Sequence, residues 1–199
     1  SARPADAEVL SLDVSGDRLA IAHRLRGVAI RSTMDGRVIL PSSGTSTAFG
    51  LAVRPDGREI AVGLWEGNVL QIDAATGTVV RTLSGHSRVV GSVRYTDDGA
   101  TLVTPSRDGA TRLWDVATGA PLATLVSRTA GAESLAVLSG DRVAIGHDDG
   151  AMATAELNYF LRHVAGNAAF QAAALGSPAA DFPRAGEVLA WARRTIEGR

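Results

Sequence analysis

The stretch Leu83–Asp115, LSGHSRVVGSVRYTDDGATLVTPSRDGATRLWD, decides the fold. It opens near Gly85-His86 and closes on Trp114-Asp115, and three short apolar segments lie between these two pairs. The turns Asp98-Gly99 and Asp108-Gly109 separate the segments, and Gly adopts the positive φ of a tight turn at little cost. The stretch therefore predicts short antiparallel strands joined by hairpins.

The same layout recurs along the chain. Ile72–Gly77 returns as Trp114–Gly119 about 42 residues further on, which is within the 40–45 residues of a four-stranded propeller blade. Ser15–His23 (SGDRLAIAH) and Ser139–His147 (SGDRVAIGH) are nearly identical and lie about three such periods apart. The chain is therefore expected to be a tandem array of similar β units.

The Gly-His pair, the central Asp-Gly turn and the terminal Trp-Asp of Leu83–Asp115 closely resemble a WD40 repeat. The resemblance implies an all-β fold, a partial WD40-type β-propeller of about four blades. The four units are expected at residues 8–41, 48–83, 89–125 and 133–157, so residues 1–157 form the propeller part. The third unit matches the repeat well, and the other three are degenerate.

The composition changes after the fourth unit. Residues 159–175 are rich in Ala, and residues 184–196 place apolar side chains at helical spacing. We expect residues 158–199 to form a short helical extension at the C-terminus, packed on the propeller.

Four blades raise the question of closure, because WD40 propellers generally close with seven or eight blades and thereby hide their edge strands. Three arrangements would solve it. The favoured one is a longer propeller, whose other blades lie upstream or on a companion chain. The others are a homodimer that forms an eight-bladed ring, and four blades that close tightly on their own.

The composition limits the function. With 45% hydrophobic and 21% charged residues and a net charge of −1, the chain is an ordinary globular protein. Its basic residues are all Arg and are scattered, which argues against nucleic acid or an anionic membrane as partner. Cysteine is absent, so a Cys-ligated zinc site and a thiol nucleophile are excluded. We expect a cytoplasmic protein, and the Arg-, Ala- and Gly-rich composition without Lys suggests a bacterial source.

The resemblance implies a buried hydrogen-bonded tetrad in the third unit, formed by His86, Ser106, Asp108 and Trp114. A His between a carboxylate and a hydroxyl also resembles a hydrolase triad. The structural role is preferred, because the repeat assigns one to all four residues and the sequence has no G-x-S-x-G motif.

The other units depart from this pattern. The counterparts of Trp114 are Ile72 and Ala155, and those of Ser106 are His23, Leu64 and His147. His23 and His147 would be three blades apart, and the Asp148-Asp149 pair beside His147 fits no known ligand loop. No metal and no cofactor are expected.

The rim of the central opening is the predicted partner-binding surface. In WD40 proteins the residue before the Asp of the turn between the second and third strands tends to contact partners. The repeat alignment places Arg24, Trp65, Arg107 and Asp148 there, and Arg88 lies beside His86 on a loop of the same face. Trp and Arg dominate interface energetics. Trp65 packed beneath a neighbouring loop is the alternative.

Two functions follow from this reading. The first is a non-catalytic protein–protein interaction or sensor module, part of a larger propeller or of a multidomain signalling or defence protein. The alternative is a propeller enzyme of the hydrolase or lactonase type that acts at the central opening. The enzyme is disfavoured because the predicted central positions offer no converging carboxylates or histidines.

Overall fold

The computed structural model describes residues 8–24, 27–43, 47–127, 130–138 and 142–157, which form β-strands joined by turns. The strands are β1 (Val9–Ser15), β2 (Arg18–His23), β3 (Gly27–Ser32), β4 (Val38–Ser43), β5 (Ala48–Val53), β6 (Glu59–Leu64), β7 (Val69–Asp73), β8 (Val79–Leu83), β9 (Arg94–Tyr95), β10 (Thr101–Pro105), β11 (Ala110–Asp115), β12 (Pro121–Ser127), β13 (Ala132–Leu138), β14 (Arg142–His147) and β15 (Met152–Glu156).

The strands form four antiparallel sheets in chain order, each of which is one blade. Blade 1 holds β1–β4, blade 2 holds β5–β8, blade 3 holds β9–β12, and blade 4 holds β13–β15. Within a blade each strand pairs with the next one along the chain. The prediction of an all-β, four-bladed propeller fold is confirmed.

The predicted helical extension, residues 158–199, lies outside the described residues, so the division of the chain at residue 157 stays a prediction. Within the described ranges, no helix is long and apolar enough to cross a membrane.

The turns between the third and fourth strands of blades 2 and 3 share one design. In blade 3, Asp115 Oδ1 accepts hydrogen bonds from the backbone N–H and the hydroxyl of Thr118, both at 2.7 Å. These two bonds lower the pKa of Asp115 below its usual value. Gly119 follows with a φ of 76°, a conformation that a side chain would strain. Asp73 binds Thr76 in the same way in blade 2, which explains the recurrent D-x-A-T-G pattern.

The hydrophobic core lies between the blades. One cluster joins blades 1 and 2, and Ile30 and Leu51 are fully buried in it. A second joins blades 2 and 3 and includes Leu102 and Trp114. A third joins blades 3 and 4 and includes Leu113. Burying one such side chain contributes about 1.5–3 kcal/mol, so each blade depends on its neighbours for stability.

A polar network also ties blade 2 to blade 3. The fully buried amide of Gln71 donates to Glu59 Oε1 at 3.0 Å and to the Val116 carbonyl at 3.1 Å. The Tyr95 hydroxyl donates to the same Glu59 oxygen at 2.7 Å. Burial and the nearby Glu59 charge raise the pKa of Tyr95, so its hydroxyl stays protonated. The network fixes how these two blades pack.

Candidate functional site

Four predicted rim residues occupy equivalent places in the four blades, in the turn that follows the second strand. The backbone N–H of each donates to a carbonyl of the segment that leads into its own blade. The pairs are Arg24 to Glu8 at 2.9 Å, Trp65 to Thr47 at 3.2 Å, Arg107 to Val89 at 2.9 Å and Asp148 to Gly131 at 2.9 Å. The backbone beneath each rim side chain is therefore fixed by the repeat itself.

Trp65 is the large apolar residue of this rim, and it is 55% exposed. Its indole ring rests on the half-buried ring of Phe49, with the ring centroids 5.5 Å apart and the planes tilted by 36°. Phe49 belongs to the same blade, so Trp65 is not packed beneath a neighbouring loop. An aromatic pair of this geometry contributes about 0.5–1.5 kcal/mol, which holds the exposed indole in place.

The turn that carries Trp65 touches the loop that carries Arg88. Gly67 lies in this turn with a φ of 92°, and a Cβ atom there would come within 2.5 Å of the His86 carbonyl oxygen and 3.0 Å of the Arg88 carbonyl oxygen. Only glycine permits so close an approach. Arg88 is exposed, so Trp65 and Arg88 belong to one continuous surface across blades 2 and 3.

Arg107 and Asp148 form a second contiguous pair across blades 3 and 4. A Cβ atom on Gly131 would come within 3.0 Å of Arg107 Cα and 2.8 Å of Asp148 Oδ2. Asp148 Oδ1 accepts from the Gly131 N–H at 3.0 Å. The Arg107 guanidinium lies 2.7 Å from Glu133. The rim of blades 3 and 4 is therefore highly charged.

Arg24 is placed differently from the other rim residues. Its guanidinium binds Glu8 of the same blade at 2.9 Å, and both side chains are more than half exposed. Exposed ion pairs of this kind contribute about 0–1 kcal/mol. Arg24 therefore presents charge on blade 1, and its described contacts do not join it to the Trp65 surface.

A buried hydrogen-bonded chain lies beneath the rim of blade 3. Trp114 Nε1 donates to Thr104 Oγ1 at 2.8 Å. His86 Nε2 lies 2.9 Å from the same hydroxyl, and His86 Nδ1 lies 2.9 Å from Asp108 Oδ2. His86 Nε2 also lies 3.0 Å from the Thr104 carbonyl oxygen, so both oxygens of Thr104 face this ring nitrogen.

The hydroxyl of this chain belongs to Thr104 and not to Ser106, which corrects the sequence-based assignment. Alternation along β10 gives both residues the same side, but the strand ends at Pro105, before Ser106. Ser106 Oγ donates to the Arg88 carbonyl and accepts from the Asp108 N–H, both at 3.1 Å. Ser106 therefore fastens the turn after β10 to the Arg88 loop. Thr104 Oγ1 instead contacts His86 Nε2 and Trp114 Nε1.

The chain of hydrogen bonds controls the charge of Asp108. Burial alone would raise the pKa of this carboxyl, but the hydrogen bond and charge of His86 and the N–H groups of Ala110 and Ser87 lower it to about 2. Asp108 is therefore ionised at neutral pH. Its oxygens accept from His86 and from backbone donors of both adjoining loops, so the carboxylate joins the Arg88 loop to the turn that bears Arg107.

The arrangement of Thr104, His86 and Asp108 has the order of a catalytic triad, but it is sealed. Thr104 is fully buried, and the side chain of His86 has no exposed surface. Trp114 covers the hydroxyl by donating to it. A nucleophile must be accessible to its substrate. The buried Thr104 hydroxyl therefore cannot attack a bound molecule, and this hydrogen-bonded network stabilises the blade.

The other blades replace Thr104 by an apolar residue. The register of β2, β6 and β14 places Ile21, Val62 and Ile145 at the matching position. Among the described residues, the buried His23 Nδ1 and both buried ring nitrogens of His147 have no hydrogen-bond partner. Within the described ranges, no three acidic or His residues cluster in a way that could hold a metal ion.

Two residues of this region were missed by sequence reasoning, Thr104 and Phe49. Thr104 lies two residues before Ser106, so in an extended strand both side chains would lie on the same face. This spacing could have indicated Thr104 as a second candidate for the hydroxyl. Phe49 lies on β5, which pairs with β6, the strand that leads into Trp65. The sequence would indicate that the two rings stack only if this pairing were already known.

Comparison with known proteins identifies the repeat. Residues 77–115 match the family model described as WD domain, G-beta repeat. The relatives include the pre-rRNA-processing protein IPI3 of Mycosarcoma maydis, 35% identical over 81 residues, which are 41% of this chain and 13% of that protein. The Set1 complex component swd1 of Schizosaccharomyces pombe is 38% identical over 72 residues, 36% of this chain and 18% of that protein. The chain thus spans less than a fifth of each of these relatives.

Solved structures agree on the fold. The computationally designed Ika8 protein has a TM-score of 0.66 at 22% identity, over 75% of this chain and 46% of that one. The U3-55K structure has a TM-score of 0.66 at 18% identity, over 77% of this chain and 53% of that one. The resemblance to the WD40-repeat β-propeller family is confirmed, with residues 77–115 as the well-matched repeat. The relatives named above are eukaryotic and give no support to a bacterial source.

Proposed function

We propose that this chain is a non-catalytic protein-interaction module that binds a protein segment on the rim formed by blades 2 and 3. The single observation that carries the proposal is Trp65, a large aromatic side chain that is 55% exposed yet held by Phe49 and by a backbone hydrogen bond. Preorganised Trp residues lose little entropy when a partner covers them, which is why they recur as binding hot spots.

The surroundings of Trp65 favour a partner segment that is both apolar and acidic. Arg88 lies on the loop that Gly67 touches, and Arg107 projects from the next turn, whose N–H is fixed to the Val89 carbonyl. Arg forms bidentate hydrogen bonds with carboxylates. An apolar side chain against the indole, with an acidic residue near Arg88, is the chemistry that this rim would recognise, since Arg107 already pairs with Glu133.

The relatives support a role in assemblies. One is a pre-rRNA-processing protein and another is a component of the Set1 complex. By similarity we infer a role as one part of a larger complex, and we propose that the chain acts in the cytoplasm. A companion chain that completes the propeller, a homodimer included, would use the end blades rather than this rim. An enzyme of the hydrolase or lactonase type gains no support from the sealed Thr104–His86–Asp108 chain.

A library of random linear peptides displayed on phage tests the proposal. We expect selection on the full chain to enrich peptides with an aromatic or aliphatic residue next to an acidic one. The Kd of these peptides, measured by fluorescence polarisation, should rise at least tenfold for Trp65→Ala and less for Arg88→Ala. Val79→Ala is the matched control, because Val79 is 53% exposed on β8, away from the rim turns. Peptides that bind Trp65→Ala as tightly as the wild type would refute the rim as the binding surface.

A further inference from the structure

Each blade has two faces, and they differ in character. We call the face toward the preceding blade the leading face and the face toward the following blade the trailing face. In blade 2 the leading face carries Leu51, Val53, Ile60 and Val62, which pack into the cluster shared with blade 1. All four are at most 7% exposed. A leading face is therefore an apolar surface that a neighbouring blade buries.

Blade 1 has the same leading face, and the described residues place no blade against it. Leu12 pairs with Ile21 and Val14 with Leu19, as Leu51 pairs with Val62 and Val53 with Ile60 in blade 2. Leu12 is 63% exposed and Val14 57%, whereas their counterparts in blade 2 are 0% and 7% exposed. The residues that should form an interface are present, and they face solvent.

Blade 4 shows the opposite half of the same interface. Its trailing face carries Ser134, Ala136, Ala144, Gly146, Met152 and Thr154, joined by the register of β14 with β13 and β15. Met152 is 72% exposed, whereas Val69 at the matching place in blade 2 is fully buried against blade 3. Ala136 is exposed as well. Among the described residues, no blade packs on the trailing face of blade 4.

The two uncovered faces are complementary in size. On the second strand of blade 1 the trailing face carries the small residues Ala20 and Ala22, and these meet the larger leading-face residues Ile60 and Val62 of blade 2. Blade 4 offers Ala144 and Gly146 on its trailing face, and blade 1 offers Leu19 and Ile21 on its leading face. Close packing needs this alternation of small and large side chains.

We propose that two copies of this chain associate head to tail, with the leading face of blade 1 of each copy on the trailing face of blade 4 of the other. Two such contacts would close a ring of eight blades and repeat the geometry of the three interfaces within one chain. Closure would cover apolar surface that a soluble protein rarely leaves exposed. The matched structures are also about twice as long as the aligned part, since the chain covers 46% and 53% of them.

This association does not depend on the proposed rim, and the solution mass of the full chain tests it. We expect light scattering on a sizing column, at tens of micromolar, to give twice the 20.5 kDa of one chain. Leu12→Arg and Ala136→Arg should each give the mass of one chain, because each variant spoils both contacts of the ring. Val79→Arg, on an exposed side chain of blade 2, should keep the doubled mass.

Mixing the two variants distinguishes a ring contact from a loss of folding. A mixture of Leu12→Arg and Ala136→Arg holds one intact contact, between blade 4 of the first and blade 1 of the second, so the doubled mass should return. Unchanged melting temperatures would show that both variants fold. The proposal is overturned if the wild type has the mass of one chain or forms polydisperse aggregate, if Leu12→Arg keeps the doubled mass, or if the mixture stays at the mass of one chain.

Discussion

Trp114 donates its indole N–H to the hydroxyl oxygen of Thr104 across 2.8 Å, in a part of blade 3 that solvent does not reach. This contact joins the third strand of the blade to the second. It also begins a chain that runs through His86 to Asp108 and so to the loops of the rim. The stability of blade 3 and the position of the rim therefore have a common origin.

Replacing Trp114 tests the contribution of the ring and of its N–H separately. Trp114 is 2% exposed and packs between blades 2 and 3, so Trp114→Ala should lower the free energy of unfolding by about 3–5 kcal/mol. Trp114→Phe keeps most of the apolar contact and should cost less than Trp114→Ala. Urea denaturation followed by circular dichroism measures both. A midpoint that hardly moves for Trp114→Ala would contradict the assignment of this residue to the core.

The reassigned hydroxyl makes a second prediction. Thr104→Val removes the acceptor of the Trp114 N–H, and a buried donor left unsatisfied costs about 1–3 kcal/mol, whereas His86 Nε2 keeps its contact with the backbone carbonyl of residue 104. Ser106→Ala removes bonds that only fasten a turn, at about 1 kcal/mol. Urea denaturation should therefore rank Thr104→Val as the more destabilising change. A larger destabilisation by Ser106→Ala than by Thr104→Val would instead assign the hydroxyl of the network to Ser106.

Acid should weaken blade 3 through Asp108. The folded-state pKa of this group is about 2, below its ordinary value of 3.8. The depressed pKa stabilises the fold fully above about pH 4, and this stabilisation is lost as the pH falls toward 2. At about 1.4 kcal/mol for each pH unit, the loss is roughly 2 kcal/mol. Urea denaturation between pH 5 and pH 2 should show a loss that is larger in the wild type than in Asp108→Asn by about this amount, since carboxylates such as Asp115 contribute to both proteins. Equal losses in the two proteins would contradict the prediction.

Trp65 should matter for binding and hardly at all for folding. Because Trp65 is more than half exposed, Trp65→Ala should change the free energy of unfolding by less than about 1 kcal/mol. Phe49→Ala removes the ring on which the indole rests, so it should weaken the binding of selected peptides while Trp65 itself is unchanged. Thermal denaturation and fluorescence polarisation measure the two effects. A large fall in melting temperature for Trp65→Ala would place this residue in the core instead.

The period of the sequence was enough to predict the blades, because each blade repeats its turn residues at the same spacing. The positions of Arg24, Trp65, Arg107 and Asp148 followed from the same spacing. The choice between Thr104 and Ser106 did not, because both side chains have the same parity and only the end of β10 separates them. The stacking of Phe49 on Trp65 depends on the pairing of β5 with β6, which a single sequence leaves open.

The most direct test of the proposed function is the indole N–H spectrum of the 15N-labelled chain during titration with a selected peptide. The chain has three Trp residues, so Trp→Phe variants assign every signal. We predict that the Trp65 signal shifts until the peptide is in excess, while the buried Trp114 signal stays in place. A Trp65 signal that does not move while the peptide binds would contradict the claim that this rim is the partner-binding surface.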